Sequence, residues 1–258
     1  MNVMESFSLK GKVALVTGGA GLYGRQIVAG VAEAGAKTFV ASRNLAALEE
    51  VAEQERARDL DVTALQFDLA EEESILALRD TIYDRAGQLD VLVNNSVLRP
   101  MKGWTDPVET WKASMEVNAT GLFLITRAFA EKMGEAGRGS IINISSIYGM
   151  VGPDYWLYEE VDWTQPPDYF FHKAGMINFA RYVAAHYGAR GVRCNTISPG
   201  GYFTGQEPGF LWRYEKSTCL GRMAGDDDLK GAIVFLASDA AAYITGVNLP
   251  VDAGRTCK

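Results

Sequence analysis

The sequence predicts a single α/β domain built on a doubly wound parallel sheet of six to seven strands. Three observations carry this. Short apolar runs alternate with longer amphipathic ones along the whole chain. The strand-like runs are apolar throughout, not alternating, as strands covered on both faces require. A chain of 258 residues, 48% hydrophobic and 22% charged, suits one large core better than two small ones. No repeat, low-complexity tract or linker-like shift divides residues 1–258.

Taken in order, "KVALVTG" (12–18) is a strand and "GRQIVAGVAEAGA" (24–36) a helix. "KTFVAS" (37–42) is a strand, "NLAALEEVAEQERAR" (44–58) a helix, "DVTALQFD" (61–68) a strand and "EEESILALRDTIYDRAG" (71–87) a helix. "QLDVLVNN" (88–95) is a buried strand. Residues 105–135 read as two consecutive helices, the first capped by Thr105 or Asp106 with Pro107 at its first position. Strands follow at "GSIINISS" (139–146), "VRCNTIS" (192–198) and "GVNLPVD" (246–252), with helices over 174–189 and 227–239.

The net charge of −7 disfavours nucleic acid and anionic membrane surfaces as partners. Cys194, Cys219 and Cys257 are widely spaced, with no CxxC, and read as reduced, mostly structural thiols; no metal site is expected. The first residues lack the pattern of a signal peptide, and no apolar run approaches bilayer length, so a cytoplasmic location is expected.

Between the first strand and helix stands "TGGAGLYG", where Gly18, Gly21 and Gly24 leave a strand and open a helix. That placement lets backbone N–H groups approach a pyrophosphate, the signature of a Rossmann-type dinucleotide fold. The second strand ends at Ser42 and Arg43, where a carboxylate would bind the ribose hydroxyls of NAD. Serine does not repel a 2′-phosphate and arginine binds one bidentately, so NADP(H) is favoured over NAD(H). An Arg43 that is only a solvated helix-start residue would leave the preference open.

Tyr169 is the only tyrosine with a lysine four residues on, Lys173. With "LKGKVALVTGG", "FDLA", "LDVLVNN", "NATG", "GSIINISS", "RCNTISPG" and "FLASDAAAYITGVNLPVDAG", in that order, the chain resembles the classical short-chain dehydrogenase/reductase family over nearly its full length. The resemblance implies that Tyr169 is the general acid/base, Lys173 lowers its pKa and binds the nicotinamide ribose, Ser146 hydrogen-bonds the substrate oxygen, and Asn118 holds a water in the proton relay. It further implies Gly18, Gly21, Leu22, Tyr23 and Gly24 as the phosphate turn, Ser42, Arg43, Asp68 and Leu69 around the adenosine, and Asn94 and Ser96 along the cleft. Pro199, Gly200 and Thr204 would cover the nicotinamide, with Tyr169 and Lys173 also touching the cofactor. Ser145 remains the alternative to Ser146, and a helix cap the alternative for Asn118.

Several positions depart from the family pattern. Leu22 stands where glycine is expected, Val97 replaces the glycine of the common NNAG, and "VDAG" replaces paired glycines near the end. The largest departure is length: the 147–168 segment adds about ten residues before Tyr169. Its Tyr155, Trp156, Tyr158 and Trp163 stand among Asp154, Glu159, Glu160 and Asp162, a mixture suited to a polyhydroxylated substrate. Equally, those rings pin a long loop to the surface or to a neighbouring subunit. Arg99 is a candidate for a substrate carboxylate or phosphate, and as readily a surface residue.

The resulting expectation is an NAD(P)-dependent oxidoreductase that interconverts a secondary alcohol and a ketone on a sugar, sugar acid or polyol, akin to gluconate 5-dehydrogenase-like members. A 3-oxoacyl thioester or hydrophobic-ketone reductase is the alternative, and a non-catalytic dinucleotide-binding regulatory protein the alternative of another class. The resemblance also implies a homotetramer or homodimer through the helices after Asn118 and around Tyr169.

Overall fold

Seven parallel strands form one sheet in a computed structural model that describes residues 2–161, 163 and 165–258. They are β1 (Val13–Thr17), β2 (Lys37–Ser42), β3 (Val62–Gln66), β4 (Val91–Asn94), β5 (Gly139–Ile144), β6 (Val192–Pro199) and β7 (Asn248–Val251), in the order β3-β2-β1-β4-β5-β6-β7. The order reverses between β1 and β4, and the crevice beyond the carboxyl ends of such strands is where doubly wound sheets bind ligands.

The helices are α1 (Val3–Ser6), α2 (Leu22–Glu33), α3 (Leu45–Arg56), α4 (Glu72–Ala86), α5 (Val108–Met115), α6 (Leu122–Glu135), α7 (Pro167–Tyr187), α8 (Pro208–Ser217) and α9 (Lys230–Ala237). Alternate residues of one strand enter opposite layers. Ala14 and Val16 pack with α2, α3 and α9, whereas Val13 and Leu15 pack with α4, α6 and α7. Two buried faces explain the uninterrupted apolar runs, and each fully buried Leu or Val contributes about 1.5–3 kcal/mol.

Two readings of the sequence are corrected. The pair of helices expected over 105–135 is one continuous rod, because a π-helical turn, Glu116–Gly121, joins α5 to α6. Pro107 is the cap residue, not the first helical position, and Asp106 accepts the Lys102 N–H instead of capping α5. Helix α8 had no counterpart in the sequence reading, although Pro208 at its start and apolar Phe210, Leu211 and Tyr214 carry the signal.

The 147–168 insertion is fastened from within its own chain. Trp156 packs on Trp212, and Tyr158 and Trp163 both pack on Phe210 of α8. Its acids hold it in place: Asp154 pairs with Arg255 at 2.6 Å, and Glu160 with Arg213 at 3.4 Å. Asp162 lies outside the described residues.

The departures from the family pattern are accommodated. Outside glycine, the described residues with positive φ are Asp59, Glu160 and Ala253, so neither Leu22 nor Val97 occupies backbone reserved for glycine. Ala253 does, at φ 56°, where its Cβ carries the strain that a glycine would relieve. The cysteines are less scattered than their spacing suggests. Cys194 is buried in the sheet, while the exposed Cys219 and Cys257 bring their sulfurs to 3.7 Å. Among the described residues no cluster of three His, Cys, Asp or Glu side chains is placed to hold a metal, and no helix is long and apolar enough to cross a membrane.

Candidate active site

A cavity of about 1250 Å³ opens beyond the carboxyl ends of β1, β2, β4, β5 and β6. Ligand pockets run to roughly 1,000 Å³, so this one accommodates a dinucleotide and a substrate together. One end is the glycine turn. Gly18 has φ 67°, and a Cβ at Gly24 would lie 2.3 Å from the Gly18 carbonyl oxygen, so the turn closes this tightly only with glycine at both positions. Gly21 caps α2 with no side-chain hydrogen bond, which leaves the first N–H groups of the helix to meet a phosphate. Leu22, 59% exposed, and Tyr23 line the same wall. The Tyr23 hydroxyl donates to the Gly200 carbonyl at 2.8 Å, and burial pushes its pKa up. These features fit a nicotinamide dinucleotide.

Ser42 and Arg43 lie at the tip of β2, and Asp68 and Leu69 follow β3, all on the cavity wall. The Asp68 carboxylate accepts the Ala70 N–H at 2.9 Å, which turns the chain toward the cleft. Ser96, Pro199, Gly200 and Thr204 also line the cavity. Asn94 is absent from its lining: buried, it donates to Asn143 at 2.9 Å and to Thr126 at 3.2 Å. Its neighbour Asn95 faces the cleft instead and donates to the carbonyls of Thr17 and Gly18, tying the β4 loop to the glycine turn. Strand alternation explains the exchange, because consecutive side chains point to opposite faces.

Ser146, Tyr169 and Lys173 meet on one wall. Pro166 and Pro167 open α7, which places Tyr169 in its first turn and Lys173 one turn later on the same face. Of the two serines after β5, Ser145 commits its hydroxyl to the Lys173 carbonyl at 2.8 Å. Ser146 accepts only the Tyr148 N–H, at 3.2 Å, and so keeps its hydroxyl proton for a ligand. A Cβ at Gly149 would lie 2.7 Å from the Lys173 carbonyl oxygen, so glycine here lets the β5 turn press against α7.

The Lys173 ammonium donates to the Ile144 carbonyl at 2.6 Å and lies 5.6 Å from the Tyr169 ring centroid. Burial, and secondarily the Arg99 charge, lowers its pKa to about 7. Arg99 is the other cation at Tyr169, with its guanidinium carbon 4.3 Å from the ring centroid. His172 packs edge-on against Tyr169, and burial, followed by Lys173 and Arg99, lowers its pKa to about 3, so it is neutral.

Asn118 is buried in the π turn and absent from the cavity lining. It accepts the Leu98 N–H at 2.9 Å and donates to the Leu98 carbonyl at 2.7 Å. Tyr155, 69% exposed, and Trp156 are also absent from that lining. The insertion reaches the cavity through Tyr148, Tyr158, Trp163 and Gln165, opposite Phe210, Tyr214 and Met223. Tyr148 and Tyr158 share a hydrogen bond between their hydroxyls. Sequence reasoning did not assign Tyr148, Phe210, Tyr214 or Met223, because they converge from segments with no shared spacing.

A family model described as enoyl-(acyl carrier protein) reductase matches residues 21–256. A D-threitol dehydrogenase from Mycolicibacterium smegmatis is 34% identical over 266 residues, covering 100% of this chain and 98% of the relative. An L-rhamnose 1-dehydrogenase (NAD(P)(+)) from Sphingomonas is 34% identical, covering 95% and 96%. The solved structure of a gluconate 5-dehydrogenase from Burkholderia cenocepacia, in complex with NADP and tartrate, superposes with a TM-score of 0.89 at 29% identity over 100% of both chains. The Tyr169–Lys173–Ser146 wall, the glycine turn and these matches make the chain an oxidoreductase of the short-chain dehydrogenase/reductase family.

Proposed function

We propose that the chain interconverts a secondary alcohol and a ketone on a sugar, sugar acid or polyol, with NADP(H) preferred as hydride carrier. The convergence of Ser146, Tyr169 and Lys173 at the aromatic end of the cavity carries the reading. A nicotinamide held in this cavity would accept or supply the hydride. Ser146 donates its hydroxyl proton to the substrate oxygen, and Tyr169 exchanges a proton with that same oxygen. Lys173 and Arg99 place their nitrogen groups beside the Tyr169 ring, on the wall where that exchange takes place.

The substrate assignment rests on wall chemistry. Trp163, Phe210 and Tyr158 offer ring faces to C–H surfaces, while Gln165 and the paired hydroxyls of Tyr148 and Tyr158 offer hydrogen bonds. Arg99 and Lys102 join Lys173 as basic groups on this side, which suits a sugar acid, and the relatives acting on threitol, rhamnose and gluconate point to the same class. The insertion's Asp154 and Glu160 are spent on Arg255 and Arg213, so they do not serve as hydroxyl ligands. With those acids turned away, the apolar wall of Phe210 and Met223 also fits a hydrophobic ketone, the second reading.

The NADP(H) preference rests on Ser42 and Arg43 at the β2 tip, where the sequence Ser42-Arg43-Asn44 carries no carboxylate. Fluorescence titration is expected to give NADPH at least tenfold tighter binding than NADH, and Arg43→Leu to erase the difference. A panel of sugar acids, polyols, keto-sugars, apolar ketones and acyl thioesters is expected to show turnover of the first three. Tighter NADH binding would remove the Arg43 argument, and turnover confined to the last two would remove the sugar reading.

The face formed by α5, α6 and α7 exposes Val108, Phe123, Phe171 and Tyr182, at 45–64% of their surface. We propose this face as the contact of a homodimer or homotetramer. Light scattering is expected to give a mass of two or four times 28.1 kDa; a monomer at micromolar concentration would refute it.

A further inference from the structure

A chain of buried polar groups runs behind the reaction wall and returns to it. Asp168, 1% exposed, accepts the Ser114 hydroxyl proton at 2.5 Å through Oδ2. Ser114, fully buried, accepts the Asn118 amide at 3.0 Å. Asn118 clamps both backbone groups of Leu98. Leu98 precedes Arg99, whose guanidinium lies over the ring of Tyr169, and Tyr169 follows Asp168. The path therefore closes on itself.

We propose that Asp168 is a positioning residue for proton transfer: through Ser114 and Asn118 it fixes the Leu98–Arg99 backbone and so holds the Arg99 guanidinium over Tyr169. A carboxylate accepts and does not donate, so Ser114 must give its proton to Asp168 and present a lone pair to Asn118. That fixes which end of the Asn118 amide faces Ser114, and the opposite end must then accept from Leu98. An asparagine at 168 would remove this direction, because its amide both donates and accepts.

The carboxylate is held at a cost. Its Oδ1 is buried with no partner among the described residues, and burying a charge with one hydroxyl ligand is unfavourable. The first turn of α7 offsets part of that through the helix dipole. Packing alone would accept a neutral side chain of the same size. The surroundings make the Arg99 position matter. The titratable groups around Tyr169 are Asp168, His172 and Lys173 on its own helix, Arg99 on the β4–α5 loop, Tyr23 on α2 and Tyr148 after β5. Only two of these are cations, and Lys173 is deeply buried.

The inference rests on Tyr169 as the proton-transfer group, and its test does not require the natural substrate. The Tyr169 ionisation is read as tyrosinate absorbance against the matching Tyr169→Phe protein. Asp168→Asn is expected to move that titration up, the release of the Arg99 cation from the ring outweighing the loss of the Asp168 charge beside it. NADPH affinity is expected to stay within about twofold, and kcat near neutrality to fall about tenfold with little change in KM. Arg99→Gln is expected to do the same, and the double variant to add nothing further. Replacing both partners, Ser114→Ala with Asp168→Ala, removes the buried carboxylate together with its donor, leaves the Asn118 amide its bond to the Leu98 carbonyl, and serves with the same expected titration shift if Asp168→Asn fails to fold. A folded, cofactor-binding variant with an unshifted Tyr169 titration would overturn the proposal. So would a double variant in which the Asp168 and Arg99 effects multiply. An active Tyr169→Phe protein would instead overturn the reading of Tyr169 itself.

Discussion

A Tyr169→Phe protein is expected to lose turnover by about 10²–10⁴-fold, the usual contribution of a positioned general acid or base. NADP(H) binding is expected to remain within severalfold, because the glycine turn, Arg43 and Asp68 lie at the other end of the cavity. Folding is expected to be little affected: Tyr169 is 7% exposed within an aromatic cluster, and phenylalanine keeps the ring that packs against His172 and Arg99. Steady-state rates with an active member of the substrate panel, set beside a cofactor titration, check both halves. Full turnover in the variant would place proton transfer elsewhere; loss of cofactor binding would make the turnover result uninformative about chemistry.

Lys173→Met is expected to abolish turnover to a similar degree and yet to stabilise the cofactor-free protein. Burial lowers the Lys173 pKa from 10.5 to about 7, so the folded state holds its proton less tightly than the unfolded state. Between pH 7 and 10.5 the unfolded chain therefore binds more protons, and stability rises with pH across that window. Below pH 7 the full penalty is present; above 10.5 it is gone. Methionine removes the penalty and loses the hydrogen bond to Ile144, worth about 1 kcal/mol. The net gain is expected to be about 1–3 kcal/mol at pH 6–7 and to shrink toward pH 10. Denaturant unfolding of the two proteins at several pH values reads this difference, and other titrating groups cancel between them. A variant less stable than the parent at pH 6 would mean that Lys173 is stabilised by contacts beyond Ile144.

Helix α8 and the π turn mark where sequence reasoning stopped. The seven strands were legible because both of their faces are buried, which writes itself into the sequence as unbroken apolar runs. The π turn left no such trace: "EVNATG" carries no spacing that separates a π turn from an α turn, and it is within this turn that Asn118 clamps Leu98. The choice of Asn95 over Asn94 for the cleft depended on where β4 ends, and a shift of one residue reverses a side chain's face. Tyr155 and Trp156 showed the same limit. Their composition suggested a pocket, but a 3₁₀ turn over Tyr155–Tyr158 directs Tyr158 inward and the other two outward.

By itself the sequence determined the parallel sheet, the glycine turn and the Tyr169–Lys173 pair, because each is a local pattern whose period or spacing matches one backbone geometry. Tertiary structure alone decided that Arg99 stacks on Tyr169, that Asp168 reaches Asn118 through Ser114, and that Phe210, Tyr214 and Met223 complete the substrate wall. Those contacts join residues far apart along the chain, Ser114 with Asp168 across 54 positions and Arg99 with Tyr169 across 70. They arise from how α5, α7 and α8 pack over the sheet edge, and no repeat along the chain encodes that.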